Sequence, residues 1–140
     1  MAINNLDVVQ SLPLGGTILV VEDYEPNIMV VTVMLELLGY ATEVAMCGAE
    51  SLQKILARTT PYTAILMDVQ MQDMDGFEAT RRVRELEKQK GFRHFIIGVT
   101  ARALVGDRAQ CIESGMDDYI SKPIHLDLLA EKLRLLSKAP

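Results

Sequence analysis

Ala64-Ile65-Leu66-Met67-Asp68-Val69-Gln70-Met71-Gln72-Asp73-Met74-Asp75-Gly76 is the stretch that decides the fold of this chain. Four apolar residues run without a break into a carboxylate, and a short polar loop then ends on glycine. An unbroken apolar run of that length is how a parallel strand covered on both faces reads. A carboxylate directly after such a strand is costly to place without a partner. Asp68 is therefore a candidate functional residue before anything else about the chain is known.

Working outward, the same rhythm recurs five times from Thr17 onward. Strand candidates fall at 18–22, 41–45, 62–67, 95–100 and 118–121. The first, third and fourth are nearly all apolar, and the second alternates as an edge strand does. Helical periods lie between them. One is opened by Pro26 and stopped by Gly39, a second is marked by Leu52, Ile55 and Leu56, and a third by Ala79, Val83 and Leu86. A fourth spans 105–114 and ends at Gly115, and a fifth after Pro123 carries Leu126, Leu129, Leu133 and Leu136 in phase. The third helix carries Arg81, Arg82, Arg84, Glu85 and Glu87, which read as a solvated face. Alternating strands and helices, joined by right-handed crossovers, give an α/β fold with a doubly wound five-stranded parallel sheet and helices on both faces. Residues 1–15 read as a flexible leader and 16–140 as one domain.

Composition agrees and excludes several functions. The chain has 140 residues, 49% hydrophobic and 24% charged, enough for one core and too few for two. Nineteen acidic against fourteen basic residues leave a net charge of −5, a field that repels phosphate backbones and anionic lipid, so nucleic acid is not an expected direct partner. No apolar run approaches the ~20 residues that span a bilayer, and Met1-Ala2-Ile3-Asn4-Asn5 is no signal peptide. The reading is cytoplasmic. Cys47 and Cys111 lack metal-ligand spacing and read as small buried hydrophobes. Met67, Met71 and Met74 read as packing, and His94 and His125 as surface residues.

Ligands of such a sheet sit outside the carboxyl ends of its strands. Those ends carry Glu22-Asp23, Asp68, Thr100 and Lys122-Pro123. The first turn, Glu22-Asp23-Tyr24-Glu25-Pro26, has no glycines for phosphate and repels anions. Three carboxylates from two adjacent strand ends favour a hard divalent cation instead, and Mg²⁺ fits best because it uses one or two carboxylates and accepts phosphate oxygens. Screened by that cation, Asp68 can act as a nucleophile toward phosphorus, with Lys122 as a point charge on the transferring group and Thr100 as a hydroxyl donor.

With these residues assembled, the chain resembles the receiver domain of two-component response regulators, over about 17–136. The resemblance is carried by Ile18-Leu19-Val20-Val21-Glu22-Asp23, by the run from Met67 to Gly76, by Val99-Thr100-Ala101 and by Asp117-Asp118-Tyr119-Ile120-Ser121-Lys122-Pro123. The wording is closest to receivers of hybrid histidine kinases. The resemblance implies a flavodoxin-like receiver fold with the strand order 2-1-3-4-5, an order for which this family is itself a standard example.

Carried over residue by residue, it implies that Asp68 accepts a phosphoryl group from a phosphohistidine on a histidine kinase or histidine phosphotransfer protein. Asp23, Asp68 and the Gln70 backbone carbonyl hold Mg²⁺, with Glu22 reaching it through water. Lys122 contacts the phosphoryl group, Thr100 moves to bond it, and Tyr119 turns inward as the switch aromatic, changing the surface of helix 4, strand 5 and helix 5. A downstream protein, or kinase domains in the same chain, reads that surface, and a hybrid kinase would tether the domain at a membrane. The Lys122-Pro123 bond is expected to be cis. Gln72 stands where such receivers usually have proline, which predicts a looser loop after Asp68. Gln70 and Arg102 flank the path of the hydrolytic water and are expected to slow phosphate loss. On this reading the chain assists its own phosphorylation and dephosphorylation and is not an enzyme for an outside substrate. Two other readings stand behind it. A haloacid-dehalogenase-like phosphohydrolase would want an aspartate where Gln70 stands, and a degenerate docking scaffold would not keep every site position filled.

Overall fold

The structure is a computed structural model, and it describes residues 15–101 and 105–137. The element order is β1 (Thr17–Val21), α1 (Glu25–Leu37), β2 (Ala41–Ala45), α2 (Gly48–Ala57), β3 (Ala64–Asp68), α3 (Gly76–Lys90), β4 (Ile96–Thr100), α4 (Val105–Ser114), β5 (Asp118–Ser121) and α5 (Leu126–Ser137). All five strands pair in parallel in the order β2-β1-β3-β4-β5. The expected topology is thus observed, with the alternating β2 at an edge. The leader expected over 1–15 lies, but for Gly15, outside the described residues.

The period of two along the strands sorts the core into two layers. Leu19, Val21, Ile65, Met67 and Ile96 face a cluster completed by Ile55, Ala79, Val83 and Cys111 from α2, α3 and α4. Ile18, Val20, Ala64, Leu66, Ile97 and Val99 face the opposite cluster, built with Val31 and Leu35 of α1 and Leu129 and Leu133 of α5. Each fully buried Leu or Ile contributes about 1.5–3 kcal/mol from desolvation, so a sheet sandwiched on both faces holds every strand end at a fixed level.

Local chemistry sets the boundaries. Pro26 lies in the first turn of α1, and Gly39, at φ +94°, takes the left-handed conformation that ends it. β3 starts two residues later than its apolar run suggests, and Tyr62, buried just ahead of it, donates its hydroxyl to Glu43 Oε1 at 2.9 Å. It also extends one residue further, so that Asp68 is itself its last strand residue. Gly76 opens α3 pressed against the end of β3: a Cβ there would stand 2.2 Å from the Asp68 carbonyl oxygen. Only glycine lets the helix begin so close to the strand.

Three expectations need correction. His94 is buried, 1% exposed, and not on the surface. Its Nδ1 lies 2.7 Å from Glu87 Oε2, with Phe92 edge-on at 5.2 Å and Tyr62 at 6.0 Å between ring centroids. The charged face of α3 is not wholly solvated either. Arg81, Arg82 and Glu85 face water, but Glu87 is buried and Arg84 reaches inward, donating to Gly115 O, His94 O, Glu87 and Asp117 at 2.7–2.9 Å. A buried carboxylate and a guanidinium satisfy each other there, which patterning of polar residues alone does not reveal. Cys111 is buried as expected, whereas Cys47 is half-buried and caps α2, its Sγ accepting from Glu50 N–H at 3.4 Å. His125 is exposed, and Met71 and Met74 pack on the core beside buried Met67.

Candidate functional site

Sheet register assembles the site. Val21 lies opposite Met67, so Glu22 and Asp68, one step on, come side by side at the carboxyl edge. Asp68 pairs with Val99, and Thr100 pairs with Ser121, which brings Lys122 one step beyond. Carboxylate oxygens of Glu22, Asp23 and Asp68 all lie within 4.8 Å of one another. Lys122 Nζ stands 3.2 Å from Glu22 Oε1 and 3.3 Å from Asp68 Oδ1. The Gln70 amide donates to Asp68 Oδ1 and the Asp23 amide to Glu22 Oε2, both at 3.1 Å. The Lys122-Pro123 bond that turns the chain away from the site is cis, as expected.

Three acids against one ammonium is an unbalanced set. Asp68 is 3% exposed; burial, then the hydrogen bond and charge of Glu22, push its carboxyl up to about 7, against the opposing pull of the Gln70 amide and Lys122. Burial raises Glu22 as well, but hydrogen bonds with Asp68, Asn27 and Lys122 outweigh it and hold Glu22 below the usual range. The two carboxyls thus behave as a pair in which Asp68 is the more basic member. This crowding of hard oxygen donors is what a divalent cation relieves, and the donor set fits Mg²⁺ by both charge and ligand type. Asp23, less buried than its two neighbours, stands on the solvent side of the cluster.

Thr100 closes β4 nearly buried, its carbonyl accepting from the Lys122 amide at 2.7 Å. Tyr119 is half-buried in β5, paired with Gly98 and packed against the core layer of α2, α3 and α4. The structure thus brings Glu22, Asp23, Asp68 and Lys122 into one site, with Thr100 on its rim and Tyr119 behind. Arg102 lies outside the described residues. One residue that sequence reading passed over stands in the loop after β3. Asp73 accepts from Gly48 N–H and Ala49 N–H at 3.0 Å each, tying that loop to the start of α2. No local signal marks it, because its partners are more than twenty positions away.

A five-stranded parallel sheet of this order, with three carboxylates and a lysine at its carboxyl edge, defines a doubly wound α/β domain with a candidate divalent-cation site. Residues 18–134 match the family described as the response regulator receiver domain, and the chain belongs to that family. It is 39% identical over 125 residues to hybrid signal transduction histidine kinase L of Dictyostelium discoideum, covering 88% of this chain and 7% of that protein. The chain therefore spans only a small part of such relatives. Among solved structures, the receiver domain of sensor histidine kinase PA1611 from Pseudomonas aeruginosa, with a magnesium ion coordinated in its active-site cleft, aligns with TM-score 0.79 and 37% identity over 89% of this chain and 99% of that one. The receiver domain of Ssk1 from Saccharomyces cerevisiae, solved with the histidine phosphotransfer protein Ypd1, aligns with TM-score 0.76 and 28% identity over 84% of this chain and 85% of that one.

Proposed function

We propose that this chain is a phosphoacceptor switch in a phosphorelay. Asp68 takes the phosphoryl group of a phosphohistidine on a histidine kinase or histidine phosphotransfer protein. A carboxylate oxygen of Asp68 bonds to phosphorus as the phosphorus–nitrogen bond breaks, and the electron pair returns to the donor imidazole. Asp23, Asp68 and the Gln70 carbonyl would hold Mg²⁺, with Glu22 reaching it through water. The cation supplies positive charge that screens the approach of two anions. Lys122, already within 3.3 Å of Asp68, meets the transferred group as a point charge. Thr100 donates to one of its oxygens, and Tyr119 relays the change to the face of α4, β5 and α5.

The observation that carries this reading is the buried Asp68 carboxylate held among two further acids and a lysine at one strand end. Residues 16–140 form the receiver on this reading, with 1–15 ahead of it. The domain works in the cytoplasm, and at a membrane where it is one part of a hybrid kinase. Among the described residues no helix is long and apolar enough to cross a membrane. The same site turns over no outside metabolite. On α1, directly after the acidic turn, Met29, Val33 and Leu37 follow one another at helical spacing and are each more than half exposed, a face suited to a partner's helix beside the site.

Intact mass spectrometry after incubation with acetyl phosphate and Mg²⁺ tests the reading. One phosphoryl adduct is expected on the wild type and none on Asp68→Asn. A wild-type chain that gains no adduct under acid-stable conditions refutes it.

A further inference from the structure

Gln70 sits in the segment from Val69 to Asp75, whose ends are fixed by backbone. Val69 N–H donates to Val99 O and Gly76 N–H to Val69 O, both at 2.9 Å. Between those ends Gln70, Gln72 and Asp73 are exposed, and Gln72 leaves the backbone more conformations than proline would. Asp73 compensates from the side. Its Oδ1 and Oδ2 each take one of the first two amides of α2, while Cys47 takes the third. Met74 lies against Gly48, where a Cβ would come within 2.4 Å of its Cγ, so loop and helix start fit without a gap. A carboxylate is favoured at a helix start by the aligned amides, and two oxygens on two consecutive amides fix its direction as well as its distance.

We propose that Asp73 is a positioning residue of the phosphorylation site: its two-oxygen clasp on α2 fixes the loop so that the Gln70 carbonyl stands where the divalent cation needs it. The inference rests on the reading of Asp68 as a cation-assisted phosphoacceptor. Mg²⁺ demands short bonds in near-octahedral geometry, so a carbonyl on a loop free to drift loses much of its value as a ligand. Groups that orient ligands from behind commonly account for about 10–100-fold in metal affinity. An asparagine at this position cannot reproduce the clasp, because its amide nitrogen would face a backbone N–H.

The test is calorimetric titration of Mg²⁺ into the whole chain, beside Asp73→Ala and Asp73→Asn. The dissociation constant should rise about tenfold for the alanine variant and roughly threefold for the asparagine variant. At saturating Mg²⁺, labelling by acetyl phosphate should return to within about twofold of wild type, the split expected when binding and not chemistry is impaired. A side chain that only stabilised the fold would lower the urea midpoint and leave the Mg²⁺ affinity of folded protein unchanged. Equal affinities in the wild type and the folded variants overturn the inference and leave the phosphoacceptor reading standing. Asp73→Asn decides the matter alone if the alanine variant does not fold. A wild type that binds no Mg²⁺ overturns both.

Discussion

Glu87→Gln keeps the shape of a buried side chain and removes its charge, so it isolates what that charge does at the end of the sheet remote from the site. Oε1 of Glu87 accepts from Arg84 Nη1 at 2.9 Å. Oε2 accepts from the His94 amide at 2.5 Å and faces His94 Nδ1 at 2.7 Å. A glutamine can leave its oxygen toward His94, and its NH₂ group then points at the Arg84 N–H. One charge-assisted bond becomes a donor facing a donor, and the bonds to His94 become neutral. Hydrogen bonds to charged groups contribute about 1.5–3 kcal/mol against about 0.5–1.5 for neutral ones, so the net loss at pH 7 should be about 2 kcal/mol. That lowers the urea midpoint by about 1 M for a domain of this size.

The pH dependence carries the sharper test. Burial alone would raise the Glu87 carboxyl, but hydrogen bonds from His94 and Arg84 outweigh it and hold it below 4.5. A carboxyl whose folded value is depressed releases its proton more readily in the folded chain than in the unfolded one. Its stabilisation is therefore complete above 4.5 and disappears as pH falls through the lower folded value. Urea unfolding of wild type and Glu87→Gln should differ at pH 7 and converge on acidification below the usual carboxylate range. Equal midpoints at pH 7, or a gap that does not shrink in acid, would refute the assignment of a buried, charge-stabilised Glu87.

Two further perturbations bear on the site itself. Gly76→Ala places a Cβ 2.2 Å from the Asp68 carbonyl oxygen and 2.8 Å from Val69 Cα, both backbone atoms with little room to give, so α3 must retreat from β3. A loss of about 1–3 kcal/mol, with slower labelling of Asp68 by acetyl phosphate, is expected from urea unfolding and intact mass; an unchanged midpoint would show that the close approach is unimportant. Val33→Glu puts a charge into the exposed apolar face of α1. Phosphoryl transfer from a phosphorylated histidine phosphotransfer protein should fall about tenfold relative to labelling by acetyl phosphate, and equal effects on the two donors would remove α1 from the docking face.

What was legible in the chain follows from what is local. Strand runs such as 64–67, the glycine stop at Gly39 and the phase of Leu129 and Leu133 report on their own segment, and they placed the elements within two residues. Register then converted those placements into a site, because a residue at the end of a strand or one step past it is fixed in height by its neighbours in the sheet. Glu22, Asp68, Thr100 and Lys122 were therefore readable as a set. His94 and Asp73 were not. Each takes its role from a partner on another element: His94 is folded under by Glu87 of α3, and Asp73 is oriented by amides of α2. The stretch around His94 is rich in charge, so polarity pointed outward there, whereas Asp73 is as exposed as its polarity suggests and only its hydrogen-bond partners went unread. Patterning registers how polar a side chain is, whereas burial of His94 follows from a partner on another element, Glu87 facing its Nδ1 while its Nε2 stays without one among the described residues.

The two ends of the sheet differ in this same respect, and the difference explains how the site tolerates its own repulsion. At the amino ends of β4 and β5, Arg84, Glu87, Asp117 and the backbone of His94 and Gly115 satisfy one another, and Asp117 also accepts from the Ile96 amide at 2.8 Å. At the carboxyl ends, Glu22 and Asp68 share Lys122 beside Asp23, and the three acids remain one or two positive charges short. Like charges about 4 Å apart repel by about 4 kcal/mol at an effective dielectric constant near 20, which a marginally stable domain can bear only if the rest of its structure is well paired. The better-paired end, in which His94 Nε2 alone lacks a partner among the described residues, supplies that margin by clamping α3 to β4 and to the turn before β5. The deficient end stays ready for a divalent cation, whose positive charge supplies what the side chains leave open.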